Sequence, residues 1–213
     1  MHSRSRAGFT LLELLAVIMI IAILAGVLIS QLGGAENSAF SSNTKILMKM
    51  IEQIAGEYEI EHGSFPRSSF TPEQGVANDG ENVGIEALVV AFYSDKWDAG
   101  GHQIEESSFG NTDEDLSARS LTDFGNRKLL EFVDAWKNPI AYIYRTDYGI
   151  EDRIYVTVDD QGEVVRGTPK AWKDPVQGQF YKHSRFQLIS AGPNGVFDND
   201  TPGSDDITNF DRP

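Results

Sequence analysis

Two stretches of this 213-residue chain hold side chains whose types and spacing could do chemistry. The first is Gly8-Phe9-Thr10-Leu11-Leu12-Glu13, a small residue followed by an aromatic one and then a lone carboxylate. Beyond Glu13, Leu14 to Ile29 runs sixteen residues without a charge or a hydroxyl. A carboxylate at the mouth of such a run costs free energy unless it finds a partner. The second stretch lies near the C-terminus, where Asp198, Asp200, Asp205 and Asp206 crowd together, with Asn194 just before and Asp211 just after. Oxygen-only clusters suit calcium, which takes six to eight oxygens at about 2.3–2.6 Å. The spacing is not that of an EF-hand. Asp198, Asp200 and Gly203 fit its first, third and sixth places, but Pro202 stands where an acid or Asn is wanted and Asn209 replaces the final Glu. A solvated acidic turn is the plain alternative.

Nothing else suggests catalysis. G-x-S-x-G, H-E-x-x-H and the P-loop are all missing. Acid pairs such as Glu105-Glu106 and Asp159-Asp160 stand in polar, turn-like surroundings and read as solvated. The chain is therefore expected not to be an enzyme. Its net charge of −14 argues against nucleic acid as a partner, because phosphates repel it. There are no cysteines, so disulfides and thiolate metal sites are excluded. His62, His102 and His183 are spaced as lone surface residues rather than as ligands.

The elements that must position these groups can be read from periodicity. Arg4 and Arg6 precede the apolar run, which places the leader in the cytoplasm and the rest across the membrane. A span needs about 20 apolar residues, and Phe9 to Leu32 nearly supplies them. From Ser38 to Glu61, Leu47, Ile51, Ile54 and Tyr58 recur at helical steps, and Gly63 stands where a left-handed residue closes a helix. Phe9 to Glu61 could thus be one helix of about 80 Å, at 1.5 Å per residue. Gly26, Gly33 and Gly34 would weaken it by up to about 1 kcal/mol each relative to alanine, marking either a kink or a segment able to extend. Gly84 to Phe92 predicts a second helix. Ser94 to Asn126 reads as a long surface insertion, followed by a short helix around Arg127 to Val133. Ile140–Arg145 and Arg153–Val158 alternate as strands, the turn Asp159-Asp160-Gln161-Gly162 leads to a strand at Glu163–Arg166, and Tyr181–Ser190 is the last strand. The expected fold class is α+β: a long N-terminal helix, transmembrane in its first half, packed on a small antiparallel sheet.

The N-terminal segment resembles the class III signal of type IV prepilins and type II secretion pseudopilins. A cleaved secretory signal would want a small-x-small site after the apolar run, and a plain anchor leaves Gly-Phe-Thr-Leu-x-Glu unexplained. The resemblance implies cleavage between Gly8 and Phe9, methylation of the Phe9 amine, and a charge pair between Glu13 and the Phe9 amine of a neighbour. The rest of the chain resembles the G-type major pseudopilin, as a divergent relative. His62-Gly63-Ser64-Phe65-Pro66, Gly84-Ile85-Glu86-Ala87-Leu88, Asp134-Ala135-Trp136-Lys137-Asn138-Pro139 with Tyr142, Ser190-Ala191-Gly192-Pro193-Asn194-Gly195 and Asp205-Asp206-Ile207 with Phe210 follow that family's pieces in order. Ala135 and Lys137 replace a Pro and a Gly of the family's turn, and the stretches Phe92–Leu129 and Tyr148–Gln179 are longer.

This resemblance implies a leader at 1–8, a membrane and filament-core helix at 9–32, its continuation at 33–63, and a periplasmic head at 64–213 with an acidic loop at 190–211. It implies a structural calcium ion at Asn194 and Asp206, helped by carbonyls near Leu188 and Val196. Asp198, Asp200 and Asp205 are nearby candidates that no motif position assigns. The implied partners are further copies in a helical filament, other pseudopilins, a prepilin peptidase and methyltransferase, and an inner-membrane assembly platform. The implied function is a structural subunit of a type II secretion pseudopilus. A type IV pilin for adhesion, motility or DNA uptake, and a membrane-anchored periplasmic binding or enzyme domain, are the alternatives.

Overall fold

The computed structural model describes residues 10–76, 80–94 and 97–211, with the side chains of 27–33, 98 and 100 outside that description. The chain divides into two units, one up to Ala39 and one from Phe40 onward.

Helix α1 spans Leu11–His62 and is helical without interruption through Gly26, Gly33 and Gly34. In the first unit its apolar side chains are bare, from Leu11 at 82% exposure to Val17 at 47%. A continuous apolar surface of this kind calls for a cover of lipid or protein. Among the described residues, no helix is long and apolar enough to cross a membrane. The described side chains of the expected span 9–32 run only from Thr10 to Gly26.

In the second unit α1 buries Leu47, Ile51 and Ile54 of the stripe its periodicity predicts, with Tyr58 partly buried against the core, and adds Met48 and Ala55, which the stripe did not include. Helix α2 (Val83–Tyr93) is buried almost all round, with Ile85, Leu88, Val89 and Phe92 fully covered. It comes very close to the sheet at Gly84, where a Cβ would stand 2.4 Å from the Tyr142 carbonyl oxygen. Only glycine permits that approach.

Short strands β1 (Trp97–Asp98), β2 (Phe109–Gly110) and β3 (Glu131–Phe132) follow. Then come β4 (Ala141–Tyr144), β5 (Tyr155–Val158), β6 (Val164–Gly167), β7 (Phe186–Ser190) and β8 (Ile207–Thr208). Among the described residues β2 to β8 form three small antiparallel sheets, β2-β3, β4-β7-β8 and β5-β6, rather than one, and β1 makes only an isolated bridge, Trp97 to Ser94. A long N-terminal helix followed by antiparallel sheets is the α+β, pilin-like layout expected.

Three expectations need correction. The segment Arg127 to Val133 is not a helix. Glu131 and Phe132 pair with Gly110 and Phe109, which buries the Phe132 ring completely. The insertion is not a plain surface loop. Trp97 is 7% exposed, its ring stands edge-on to Tyr58, and its indole N–H donates to Glu61 Oε2 at 2.8 Å. His102 Nε2 lies 2.8 Å from Glu57 Oε2, so the insertion is tied to α1 twice. The last long strand begins at Phe186 rather than Tyr181, because the backbone turns at Lys182, with Arg185 N–H donating to the Lys182 carbonyl.

Candidate functional site

At the N-terminal end, Glu13 sits at the third position of α1 and Thr10 caps it. The Thr10 N–H and hydroxyl both donate to Glu13 Oε2 at 2.9 Å, and the Glu13 N–H donates to Thr10 Oγ1 at 3.2 Å. This reciprocal capping box satisfies amides that have no partner within the helix. The spacing Thr10-x-x-Glu13 signals it, and the sequence reading missed it. Within one chain, then, the carboxylate already has a local partner, and it faces outward beside an apolar helix. Gly8 and Phe9, the expected cleavage and methylation sites, lie outside the described residues.

The Asp134–Pro139 turn positions the C-terminal loop. Lys137, which stands where the resembled family has glycine, adopts φ +73°. Asp134 holds the turn: Oδ1 accepts the N–H groups of Trp136 and Asn138 at 2.9 and 3.0 Å, and Oδ2 accepts the Ser190 hydroxyl at 2.7 Å. Burial raises its carboxyl to about 6 against these hydrogen bonds. Asn138 clamps β5, donating to the Val158 carbonyl at 3.0 Å and accepting its N–H at 2.7 Å. Ser190 ends β7, and the chain then enters the acidic loop through Gly192 and Gly195, both left-handed.

The loop brings Asp198, Asp205 and Asp206 together, one oxygen of each lying within 4.8 Å of the others. One ion with bonds of about 2.3–2.6 Å can bridge such a span. Asn194 joins them, its N–H donating to Asp205 Oδ2 at 3.2 Å and its Nδ2 to Asp198 Oδ2 at 3.4 Å. Asp206 Oδ2 accepts the N–H groups of Asp198 and Asn199 at 3.0 and 3.3 Å. Burial, then the charge of Asp198, raises Asp206 to about 7 and raises Asp205 as well. Asp205 Oδ1 is buried with no hydrogen-bond donor among the described residues. A cation would relieve both the mutual repulsion and that orphaned oxygen. Asp200 is exposed and stands outside the group. The Leu188 carbonyl is engaged in the sheet, accepting the Asn209 N–H at 3.2 Å. Val196 N–H closes the turn onto Asn194 Oδ1 at 2.7 Å.

A second carboxylate group escaped the sequence reading. Glu86 of α2, Asp113 of the insertion and Glu131 of β3 also converge within 4.8 Å, with Glu86 and Glu131 fully buried. Asn82 is its hub. Nδ2 donates to Glu131 Oε1 and Thr112 Oγ1 at 2.9 Å, and Oδ1 accepts the Val156 N–H at 2.9 Å. The available signal was an acid inside each of two apolar runs, GIEALVVAF and LLEFV. Burial, then the charge of Asp113, raises Glu131 to about 8.

Glu131 therefore holds a proton in the folded head at neutral pH that an unfolded chain, with a carboxyl near 4.3, has released. Its contribution to stability is full below about pH 4.5 and is lost as pH rises through about 8. The melting temperature of the head should fall between about pH 5 and pH 9, and Glu131→Gln should remove much of that fall. Asp134 and Asp206 shift in the same direction and leave a residual slope. An identical pH profile for Glu131→Gln would show that Glu131 is not the group responsible.

Residues 3–29 match the profile of the prokaryotic N-terminal methylation motif. No curated protein matches the chain, and no solved structure does. The motif and the α+β layout together support a membrane-anchored, type IV pilin-like protein.

Proposed function

We propose that the chain is a structural subunit of a type II secretion pseudopilus, assembled from the inner membrane with its head in the periplasm. The observation that carries this reading is the methylation motif over residues 3–29, which contains Gly8, Phe9 and Glu13. The ordered run of G-type pieces in the head favours secretion over adhesion, motility or DNA uptake. In this reading a prepilin peptidase cuts after Gly8 and the Phe9 amine is methylated. The apolar helices then bundle as a filament core at the assembly platform. Glu13 exchanges its Thr10 contacts for the methylated amine of a neighbouring copy, which sets register because a buried charge left alone costs several kcal/mol.

Mass spectrometry of the assembled protein tests the reading. The mature chain should begin at N-methylated Phe9, and Gly8→Arg should leave the precursor uncut. An intact Met1 to Gly8 leader on assembled protein would remove the assignment.

A structural calcium ion belongs to the same proposal. Asp198, Asp205 and Asp206 would hold it, with Asn194 positioning two of them; the fit rests on the converged oxygens and the buried Asp205 Oδ1. The ion would close the loop over the sheet in a chain that has no disulfide. Calcium at 100 times its dissociation constant should stabilise the unit from Phe40 onward by about 2.7 kcal/mol. That is roughly 5–10 °C in melting temperature for a domain of this size. Asp206→Ala should abolish the response, whereas Asp159→Ala should not. Equal help from magnesium at equal ionic strength would mean charge screening alone.

A further inference from the structure

On α1, the exposed positions from Ser42 to Gln53 carry Lys45 and Lys49 but no acid. The one acid in that stretch, Glu52, is taken by Lys182 Nζ and Asn209 Nδ2, both at 3.0 Å. Neither lysine makes an ion pair among the described residues, although both line a cleft that Glu52, Asp205, Asp206 and Asp211 also line. Beside them Ile46 is 56% exposed. On a chain of net charge −14, this helix face is a local basic and apolar ridge.

The complementary surface lies on the same molecule. Val158 and Val164 sit directly opposite each other across β5 and β6, so both side chains stand on one face of the hairpin. They are 45% and 62% exposed. Asp160 and Glu163, both exposed, flank them at the tip. The tip is held in shape by Asp159 Oδ1, which accepts the N–H groups of Gln161 and Glu163 at 2.9 and 2.8 Å. Asn138 clamps Val158, at the turn end of β5. The result is an ordered turn that exposes acidic and apolar side chains.

We propose that the β5–β6 tip of one copy docks on the Lys45–Ile46–Lys49 ridge of a second copy. Asp160 and Glu163 meet the two lysines, and the paired valines cover Ile46. Because the two patches differ, the contact can repeat head to tail, and where the rotation does not close it propagates into an open polymer. The inference deepens the filament reading by naming a head-to-head contact.

The chain has no cysteine, so introduced cysteines are its only thiols. Full-length copies with Ile46→Cys and one tag are co-expressed with copies bearing Val164→Cys and another tag, and the membranes are mildly oxidised. A mixed-tag dimer is expected. Lys45→Glu with Lys49→Glu should lower it about tenfold, and Asp160→Lys with Glu163→Lys on the other copy should restore it, which misfolding would not allow. A product no more abundant than that from a control pair with Val176→Cys, 87% exposed, overturns the contact. So does a product indifferent to the lysine reversals, or a reversal that changes only the calcium response of the acidic loop. A charge-dependent dimer in cells that build no filaments upholds the contact and removes the filament reading instead.

Discussion

Glu13→Val is expected to insert in the membrane and yet build no filaments. The substitution makes the span more apolar, so insertion is favoured. What it removes is twofold. Within one chain it breaks the capping box at the start of α1, where both Thr10 donors meet Glu13 Oε2; a lost cap costs about 0.5–2 kcal/mol. Between chains, on the proposed pairing, it would leave the neighbour's methylated amine buried without a counter-charge, at several kcal/mol. Glu13→Gln separates the two. Glutamine keeps an oxygen for the Thr10 N–H, as in other capping boxes, but carries no charge. If the charge pair drives assembly, Glu13→Gln fails as Glu13→Val does. Normal filaments from Glu13→Gln with none from Glu13→Val would mean the helix cap is what assembly needs. Normal filaments from both would remove Glu13 from the assembly mechanism. Electron microscopy of sheared filaments, with immunoblots for membrane insertion and cleavage, reads all three outcomes.

Gly195→Ala is expected to be the most damaging single-methyl substitution in the acidic loop. Gly195 has φ +68°, and a Cβ there would stand 2.1 Å from the Val158 carbonyl oxygen and 2.8 Å from the Asp159 Cα. Both are backbone atoms, and Asn138 holds Val158 by its N–H and its carbonyl, so neither can retreat without moving the β5–β6 hairpin. Left-handed strain adds about 1–2 kcal/mol for a residue with a Cβ. Together these should cost about 3–5 kcal/mol, a fall on the order of 10 °C in melting temperature. Gly63→Ala is the control. Its φ is +76°, but nothing lies within 4 Å of a Cβ there, so it should show the backbone strain alone. Equal melting temperatures for the two variants would show that the loop does not press on the hairpin.

Much of the N-terminal half was legible from local pattern. The stripe Leu47, Ile51, Ile54 and Tyr58 repeats at the helical period, and a helix is stabilised by neighbours three and four residues away, so its buried face could be read off directly. The apolar runs of α2, β4 and β5 were legible too, but not as half-buried elements: α2 is buried almost all round, and β4 is buried throughout rather than on alternate residues. The crowding of acids after Ser190 was visible because Asp198, Asp205 and Asp206 lie within one short loop.

Tertiary structure alone decided the rest, because it depends on partners far away in the chain. Glu131 reads as a polar interruption of an apolar run until Asn82, Thr112 and Asp113 arrive from elsewhere to surround it. Arg127–Val133 has a helix-compatible composition, yet Glu131 and Phe132 become a strand because Phe109 and Gly110 offer a ladder that buries Phe132. The insertion looked solvated until Trp97 and His102 found Glu61 and Glu57 on α1. Local periodicity determines which residues face a core. Which distant segment satisfies a buried carboxylate or amide is settled only when the chain closes on itself, since a polar group buried without its partner costs more than most single contacts return.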